Sequence, residues 1–295
     1  MKYLAIDIGG TNLKFGFVSL EGMLLQHWTV SVPSNYNDLI QKISDIYNSS
    51  KDIIGVGVSS PGIYDQKNDM ITGSSALEYL IDKPLKKDLS RALNTTIMIE
   101  NDGNCALLGE YWKGNCKNSR LSAIYVIGSA IGGSIQIDGH ILRGAHNNAG
   151  ELGYSLVDNQ PSSNSFGSLG GKVGFNALLK KASMGGFYCK NGKELLCKAK
   201  FNIELEQLIV SELKYLALSF ITMQYVIDPE VILVGGGVSQ NSYFMDLLLV
   251  ALRKVQDTRP NYKVYPTVLP AKFGNNSNLL GAVYKFLNDK KRSNL

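Results

Sequence analysis

Two stretches of this chain follow one plan: AIDIGGTNLKFGFVSLEGMLL from Ala5 and AIYVIGSAIGGSIQIDGHIL from Ala123. In each, an apolar run ends in glycines, a second run follows, a turn carrying glycine intervenes (Glu21-Gly22, Asp138-Gly139), and a third run begins. Short runs of this kind joined by turn residues read as antiparallel strands. The first stretch predicts strands over 3–8, 13–18 and roughly 23–32; the second predicts them over 121–127, 134–137 and 140–142. The two lie too far apart for a solenoid repeat. The chain is therefore expected to consist of two homologous halves facing each other. Asp7 is the anomaly in the pattern, because a carboxylate in a buried strand is costly unless it is paired or liganded.

The rest of the sequence alternates helix and strand. Leu39, Ile40, Ile43 and Ile46 fall at helical spacing and predict a helix over 36–47. A strand over 53–59 stops at Pro61-Gly62, a helix follows near 83–93, then a strand over 96–100, and Asn101-Asp102 open a helix over 103–112. The second half holds a Gly/Ser/Asn-rich loop over 159–171, a helix over 172–182 and a long helix over 203–227 that stops before Asp228-Pro229. Leu213, Leu216, Ala217 and Phe220 form an apolar stripe on that helix, read first as core and second as a dimer surface. A buried strand then enters Gly235, Gly236 and Gly237, followed by a helix, a strand near 264–269, the turn FGNNSN and a closing helix LLGAVYKFLNDKK. This is an α/β pattern with mixed sheets.

Composition excludes several function classes. Apolar residues make up 44% of the 295 and charged residues 19%, the balance of an ordinary globular protein. The net charge of +5 is spread over lysine pairs (Lys86-Lys87, Lys180-Lys181, Lys290-Lys291), with no basic stripe of the kind nucleic-acid binding requires. No run approaches the roughly 18 apolar residues of a membrane span, and MKYLAIDIGG lacks the pattern of a signal peptide. The four cysteines have neither disulfide-framework nor zinc spacing. A cytoplasmic protein with reduced thiols, no membrane partner and no nucleic-acid partner is expected.

Three glycine loops end strands: Gly9-Gly10-Thr11, the segment holding Gly128, Ser129, Gly132 and Gly133, and Gly235-Gly236-Gly237. Glycines at strand ends let backbone N–H groups approach phosphates closely. A single such loop is more often only a tight turn; three of them in two matching halves point to a bound phosphate group. No GxxxxGK[ST] pattern occurs, and the first loop leads into a strand, unlike a dinucleotide fingerprint. Beside such a loop, Asp7 can hold the waters of a magnesium ion or cap the turn N–H groups. Asp102, between a strand end and a helix, suits an N-cap and equally a general base.

In order and spacing, Asp7-x-Gly9-Gly10-Thr11, Glu100-Asn101-Asp102, GSAIGG, AGELGY and VGGG resemble the ROK sugar kinases (repressors, open reading frames, kinases). The resemblance covers nearly the whole chain. It implies a two-domain actin/hexokinase-like (ribonuclease H-like) fold with duplicated mixed sheets flanked by helices, closing on ATP and a small-molecule sugar. Residues 1–117, completed by the C-terminal helix 279–295, would carry the sugar and the first phosphate loop; residues 118–278 would carry the second phosphate loop and the adenosine site. By the same resemblance Asp102 is the general base, Asn101, Glu151, Gly62 and Tyr154 belong to the sugar pocket, and Gly9, Gly10 and Thr11 meet phosphates. Gly128, Ser129 and Gly132 form the second phosphate loop, and Gly235 and Gly236 meet the adenosine. MgATP is the expected phosphoryl donor, with Asp7 reaching Mg2+ through water, and a homodimer is the expected assembly.

Three departures refine this reading. Glu151-Leu152-Gly153-Tyr154 stands where zinc-containing members have Glu-x-Gly-His, and the cysteine cluster that follows there is absent, so no structural zinc is expected. Tyr154 either donates to the sugar or fills the space with a ring. Ala130 stands in a loop that usually reads Gly-Thr-Gly, which restricts positive φ there. Ser75-Ala76-Leu77 lacks an asparagine that often contacts the sugar. The variant most resembles the β-glucoside kinases of the family, which phosphorylate the 6-hydroxyl of the non-reducing glucose. Glucokinase and N-acetylmannosamine kinase are the alternatives. A catalytically inactive sugar sensor is the alternative of another class, although the first strand begins too early to leave room for a preceding DNA-binding segment.

Overall fold

The structure, a computed structural model, describes residues 1–73, 75–158, 167–259, 261 and 263–293. In chain order its elements are β1 (Lys2–Ile8), β2 (Asn12–Val18), β3 (Leu24–Ser31), α1 (Tyr36–Asn48), β4 (Ile53–Ser60), β5 (Ile63–Asp65), β6 (Met70–Thr72), α2 (Leu85–Leu93), β7 (Ile97–Asn101) and α3 (Asp102–Lys113). They continue with β8 (Leu121–Ile127), β9 (Ile131–Ile137), β10 (His140–Ile141), α4 (Leu169–Val173), α5 (Phe175–Met184), α6 (Gly192–Ala199), α7 (Ile203–Ile227), β11 (Val231–Gly235), α8 (Ser242–Asp257), β12 (Val268–Pro270) and α9 (Ser277–Ser293). Two compact units result. One holds Met1–Asn118, Gly144–Asn147 and the chain from Asn276; the other holds Ser119–Arg143 and Asn148–Asn275. None of the described helices is long and apolar enough to cross a membrane.

The first unit is built on a five-stranded sheet in the order β3-β2-β1-β4-β7. β1 pairs antiparallel with β2 and parallel with β4, and β4 pairs parallel with β7. β1 is covered on both faces: Leu4, Ala5 and Ile6 are all fully buried, which is why it reads as a continuous apolar run rather than an alternating one. Trp28 of β3 stacks on Phe15 with ring centroids 5.6 Å apart. On the other side α9 lies against the sheet at very close range. A Cβ at Gly57 of β4 would stand 2.4 Å from the Ala282 carbonyl oxygen, so only glycine admits the helix there. The same holds where α9 crosses α3: a Cβ at Gly281 would stand 1.8 Å from the Cys105 carbonyl oxygen.

The second unit repeats the scheme in the order β10-β9-β8-β11-β12, antiparallel through β10-β9-β8 and parallel through β8-β11-β12. The duplication expected from the two opening stretches is therefore present, strand for strand. Helix α7 runs over the expected residues. It starts at Asn202, whose side chain accepts the Leu205 N–H, and ends at Asp228 in the left-handed region (φ 49°), before Pro229. Its stripe, Leu213, Leu216, Ala217 and Phe220, is fully buried.

Several boundaries differ from the sequence expectation, each for a local reason. The helix expected over 172–182 is broken at Gly174, where a Cβ would meet both the Gly170 and Ser129 carbonyl oxygens at 2.7 Å; α4 and α5 flank the break. The helix expected from 83 starts at Leu85, since Pro84 disfavours helical backbone at Lys83. The β5–β6 hairpin and α6 stand where no element was expected. Residues 159–166 of the predicted Gly/Ser/Asn-rich loop, and 294–295 of the predicted closing helix, lie outside the described residues.

Candidate active site

Parallel strands β1, β4 and β7 deliver their carboxyl ends to one edge of the first sheet, the side on which open α/β sheets bind ligands. The register sets Asp7 beside Ser59, Ser59 beside Glu100 and Ser60 beside Asn101. Asp7 is 6% exposed, and its carboxylate does not cap the hairpin turn. Lys14, its cross-strand partner on β2, donates to Oδ2 at 2.6 Å; Ser59 Oγ and Asn278 Nδ2 donate to Oδ1 at 2.8 and 3.1 Å. The hairpin closes by itself, with the Gly9 N–H donating to the Asn12 carbonyl at 2.9 Å. Gly10 and Thr11 are exposed at its tip.

Asn101 is the N-cap of α3, and Asp102 is the first helical residue. The Asn101 amide is held from both ends: Oδ1 accepts the Asn104 N–H at 3.1 Å, and Nδ2 donates to the Gly62 carbonyl at 3.0 Å. Gly62 stands at φ 89°, which favours glycine, and this turns its carbonyl toward the cap. Asp102 is partly exposed, and its Oδ1 accepts the Gly103 N–H at 2.8 Å. Glu100 beneath it is fully buried; its Oε1 accepts from the Asn101 N–H at 3.0 Å and the Asn104 amide at 2.9 Å. Burial, and then the charges of Glu100, Asp7 and Asp102, push the Cys105 thiol well above its ordinary range. Cys105 is therefore a neutral packing group here, not a nucleophile.

In the second unit the loop after β8 is braced by α5. The Phe175 and Asn176 N–H groups donate to the carbonyls of Gly128 and Ser129 at 2.9 and 3.1 Å. No residue from 128 to 133 has positive φ, so Ala130 fits the loop without strain. Gly128 and Gly132 stand out for another reason. Among the described residues, and leaving aside its chain neighbours, a Cβ at either would meet no atom closer than 3.9 Å, so neither positive φ nor packing against those residues requires glycine there. Such positions suit a ligand that approaches the backbone closely.

Two clefts meet at this loop, and Ser129 lines both. One, of about 710 Å³, is bounded by Gly128, Phe175, Lys193, Lys200, Gly237 and Val238. Gly237, not Gly235 or Gly236, forms its wall: Gly235 is buried in β11, and Gly236 (φ 83°) has its Cβ position filled by the Ile127 carbonyl oxygen at 2.3 Å. The other cleft, of about 760 Å³, is bounded by Ala130, Gly153, Tyr154, Gly170, Lys180 and Met184. Tyr154 is 67% exposed there, so its ring is not filling the interior. Glu151 opens the same short turn; its carboxylate accepts no hydrogen bond from a described residue, and burial raises its pKa. The segment after that turn is tied down by a 2.5 Å pair between Asp158 and the buried Lys172.

The residues flagged by sequence thus fall into two groups, one in each unit. What sequence reasoning missed around Asp7 was Lys14, Ser59 and Asn278. Lys14 was within reach, since counting back across the hairpin pairs it with Asp7. The signal for α6, which carries the cleft-lining Lys193, was Asn191-x-x-Glu194. There Asn191 Oδ1 accepts the Glu194 N–H at 2.9 Å, and Glu194 Oε2 accepts the Lys190 N–H at 2.8 Å. His146 is exposed. Among the described residues no group of three or more His, Cys, Asp or Glu is arranged to hold a metal ion.

The sequence model of the ROK family matches residues 3–288. An uncharacterized protein of Clostridium perfringens is 32% identical over 96% of this chain and 97% of its own length. A β-glucoside kinase of Listeria monocytogenes is 26% identical over 99% of both chains. Among solved structures, a ROK family protein from Streptococcus pneumoniae in complex with sucrose superposes with a TM-score of 0.88 at 28% identity, covering 99% of this chain and all of that one.

Proposed function

The chain belongs to the ROK family, and on that premise we propose that it transfers the γ-phosphate of ATP to the 6-hydroxyl of the non-reducing glucose of a β-glucoside such as cellobiose. The coarse activity, ATP-dependent phosphorylation of a carbohydrate, is that of the family's kinases. The observation that carries phosphoryl transfer is the open space at Gly128 and Gly132, where no contact among the described residues calls for glycine. Sucrose in the pneumococcal relative and the β-glucoside kinase relative both favour a glucosyl sugar that extends past one ring. Glucokinase and N-acetylmannosamine kinase activities are the alternatives. The reading takes the enzyme as a cytoplasmic homodimer.

In this reading Asp102 takes the proton of the attacking hydroxyl, Glu151 and Asn101 receive sugar hydroxyls with Gly62 shaping the pocket, and Tyr154 lies against the sugar's far part. Asn101 has one amide hydrogen left to give once Gly62 is served. Gly9, Gly10 and Thr11 meet phosphate oxygens, as do Gly128, Ser129 and Gly132; Gly236 sets Gly237 against the nucleoside. Magnesium, when bound with ATP, neutralises charge on the β- and γ-phosphate oxygens. Asp7 fits it through water only. A carboxylate offers about four acceptor sites, and Lys14, Ser59 and Asn278 occupy three, leaving one for a metal-bound water.

Glu151 gives this reading a pH signature. Burial favours its protonated form, so ionising it costs stability as pH rises from the ordinary value of 4.5 through its higher folded value. The anion is the form that accepts two hydroxyls. Sugar affinity, measured by calorimetry from about pH 4 to about pH 8, is expected to fall on acidification at a pH above that of an ordinary glutamate. Glu151→Gln should bind more weakly at neutral pH and show no such step. A step that persists in Glu151→Gln would remove this residue from the sugar site. The assignment as a whole is tested by ADP release with MgATP over a panel of sugars.

A further inference from the structure

One amide in the first unit touches the ends of two strands and the start of the helix that carries Asp102. Asn278, in the first turn of α9, directs Nδ2 to Asp7 Oδ1 at 3.1 Å, to Ser59 Oγ at 3.3 Å and to the Asp102 carbonyl at 3.3 Å. Ser59 Oγ in turn donates to the same Asp7 oxygen at 2.8 Å. The two hydrogens of the amide are thus shared among the end of β1, the end of β4 and the start of α3. The depth of α9 is fixed independently by its backbone contacts at Gly57 and Gly281, so the amide is delivered to one place.

We infer that Asn278 is a positioning residue: it sets the spacing between the Asp7 carboxylate and the peptide that carries Asp102. This rests on the kinase reading above. A small shift of a reacting group, of the order of 1 Å, costs about 100-fold in rate. Neither Asp7 nor Asp102 is braced to the other by the sheet ladder alone, because β1 and β7 are separated by β4. Asn278 spans that gap, and it does so from the far end of the chain, 271 positions from Asp7. Substitution there should change turnover rather than sugar binding, because none of its three bonds involves Asn101, Gly62 or Glu151.

The test compares Asn278→Ala and Asn278→Asp with the unaltered enzyme, reading kcat, KM for ATP, sugar Kd by calorimetry and melting temperature. The Asp variant keeps the shape but replaces the donor with an anion facing Asp7. The expected result is a kcat lower by about tenfold to 100-fold for Ala and lower again for Asp, with sugar Kd within about twofold of the unaltered value. The loss should be non-additive with Ser59→Ala, which removes another bond to the same carboxylate. Both variants within about twofold in kcat, or losses that simply follow sugar Kd and melting temperature, would overturn the assignment. If the unaltered enzyme turns over no sugar at all, the kinase reading falls and takes this one with it. Turnover that survives unchanged in both variants removes only the role of Asn278.

Discussion

Asp102→Asn is expected to lower kcat by about 10²–10⁴-fold, the contribution of a positioned general base. The substitution preserves shape. The Asn side-chain oxygen still accepts the Gly103 N–H that Asp102 Oδ1 accepts at 2.8 Å, and Asn101 still caps α3. The Asn101 and Gly62 contacts are untouched, so sugar Kd by calorimetry should stay within about twofold. What disappears is the acceptor for the hydroxyl proton. Loss of turnover with binding retained separates an enzyme from a sugar sensor, which would bind equally in both forms and turn over in neither. Unchanged turnover in Asp102→Asn would move the base elsewhere in the site.

Gly281→Ala should destabilise the protein although it improves the helix. By intrinsic propensity alone, Ala for Gly within α9 would stabilise by about 1 kcal/mol. The crossing with α3 decides otherwise. The new Cβ would lie 1.8 Å from the Cys105 carbonyl oxygen, and backbone cannot swing aside as a flexible side chain can. Forcing the helices apart opens a core that includes the fully buried Leu107, Leu279 and Val283, a cost of about 1–3 kcal/mol or more beyond the propensity gain. Melting temperature should fall by about 2 °C or more. A rise in melting temperature would mean that the two helices are not packed at this distance. Because α3 begins at Asp102, the variant should also lose turnover when assayed well below its melting point.

The legible parts of this protein are those written in short-range pattern. The strand–glycine–strand plan appears twice because each hairpin is encoded within about twenty-five residues, and it correctly announced two sheets of equal order. Asp7, Asp102 and the glycine loops were visible because an acid or a glycine at a strand end breaks an apolar run. Other features depend on partners distant in sequence. The break at Gly174 exists because the Ser129 carbonyl lies against it, and the first turn of α9 matters because Asn278 meets Asp7, Ser59 and Asp102. Neither fact leaves a local trace. The β5–β6 hairpin was missed for a different reason: strands of three residues fall below any periodicity that can be counted.

The most direct test of the central claim is product analysis after incubation with MgATP and, separately, glucose, cellobiose, gentiobiose, a phenyl β-glucoside and N-acetylmannosamine, each with Asp102→Asn alongside. The expected result is a monophosphorylated sugar, carrying its phosphate on the 6-hydroxyl of the non-reducing glucose, formed faster from the β-linked sugars than from free glucose and lost in the Asp102→Asn reactions. Preference for free glucose or N-acetylmannosamine would contradict the substrate assignment. No Asp102-dependent phosphorylated product from any sugar, with sugar binding intact, would contradict the kinase reading itself.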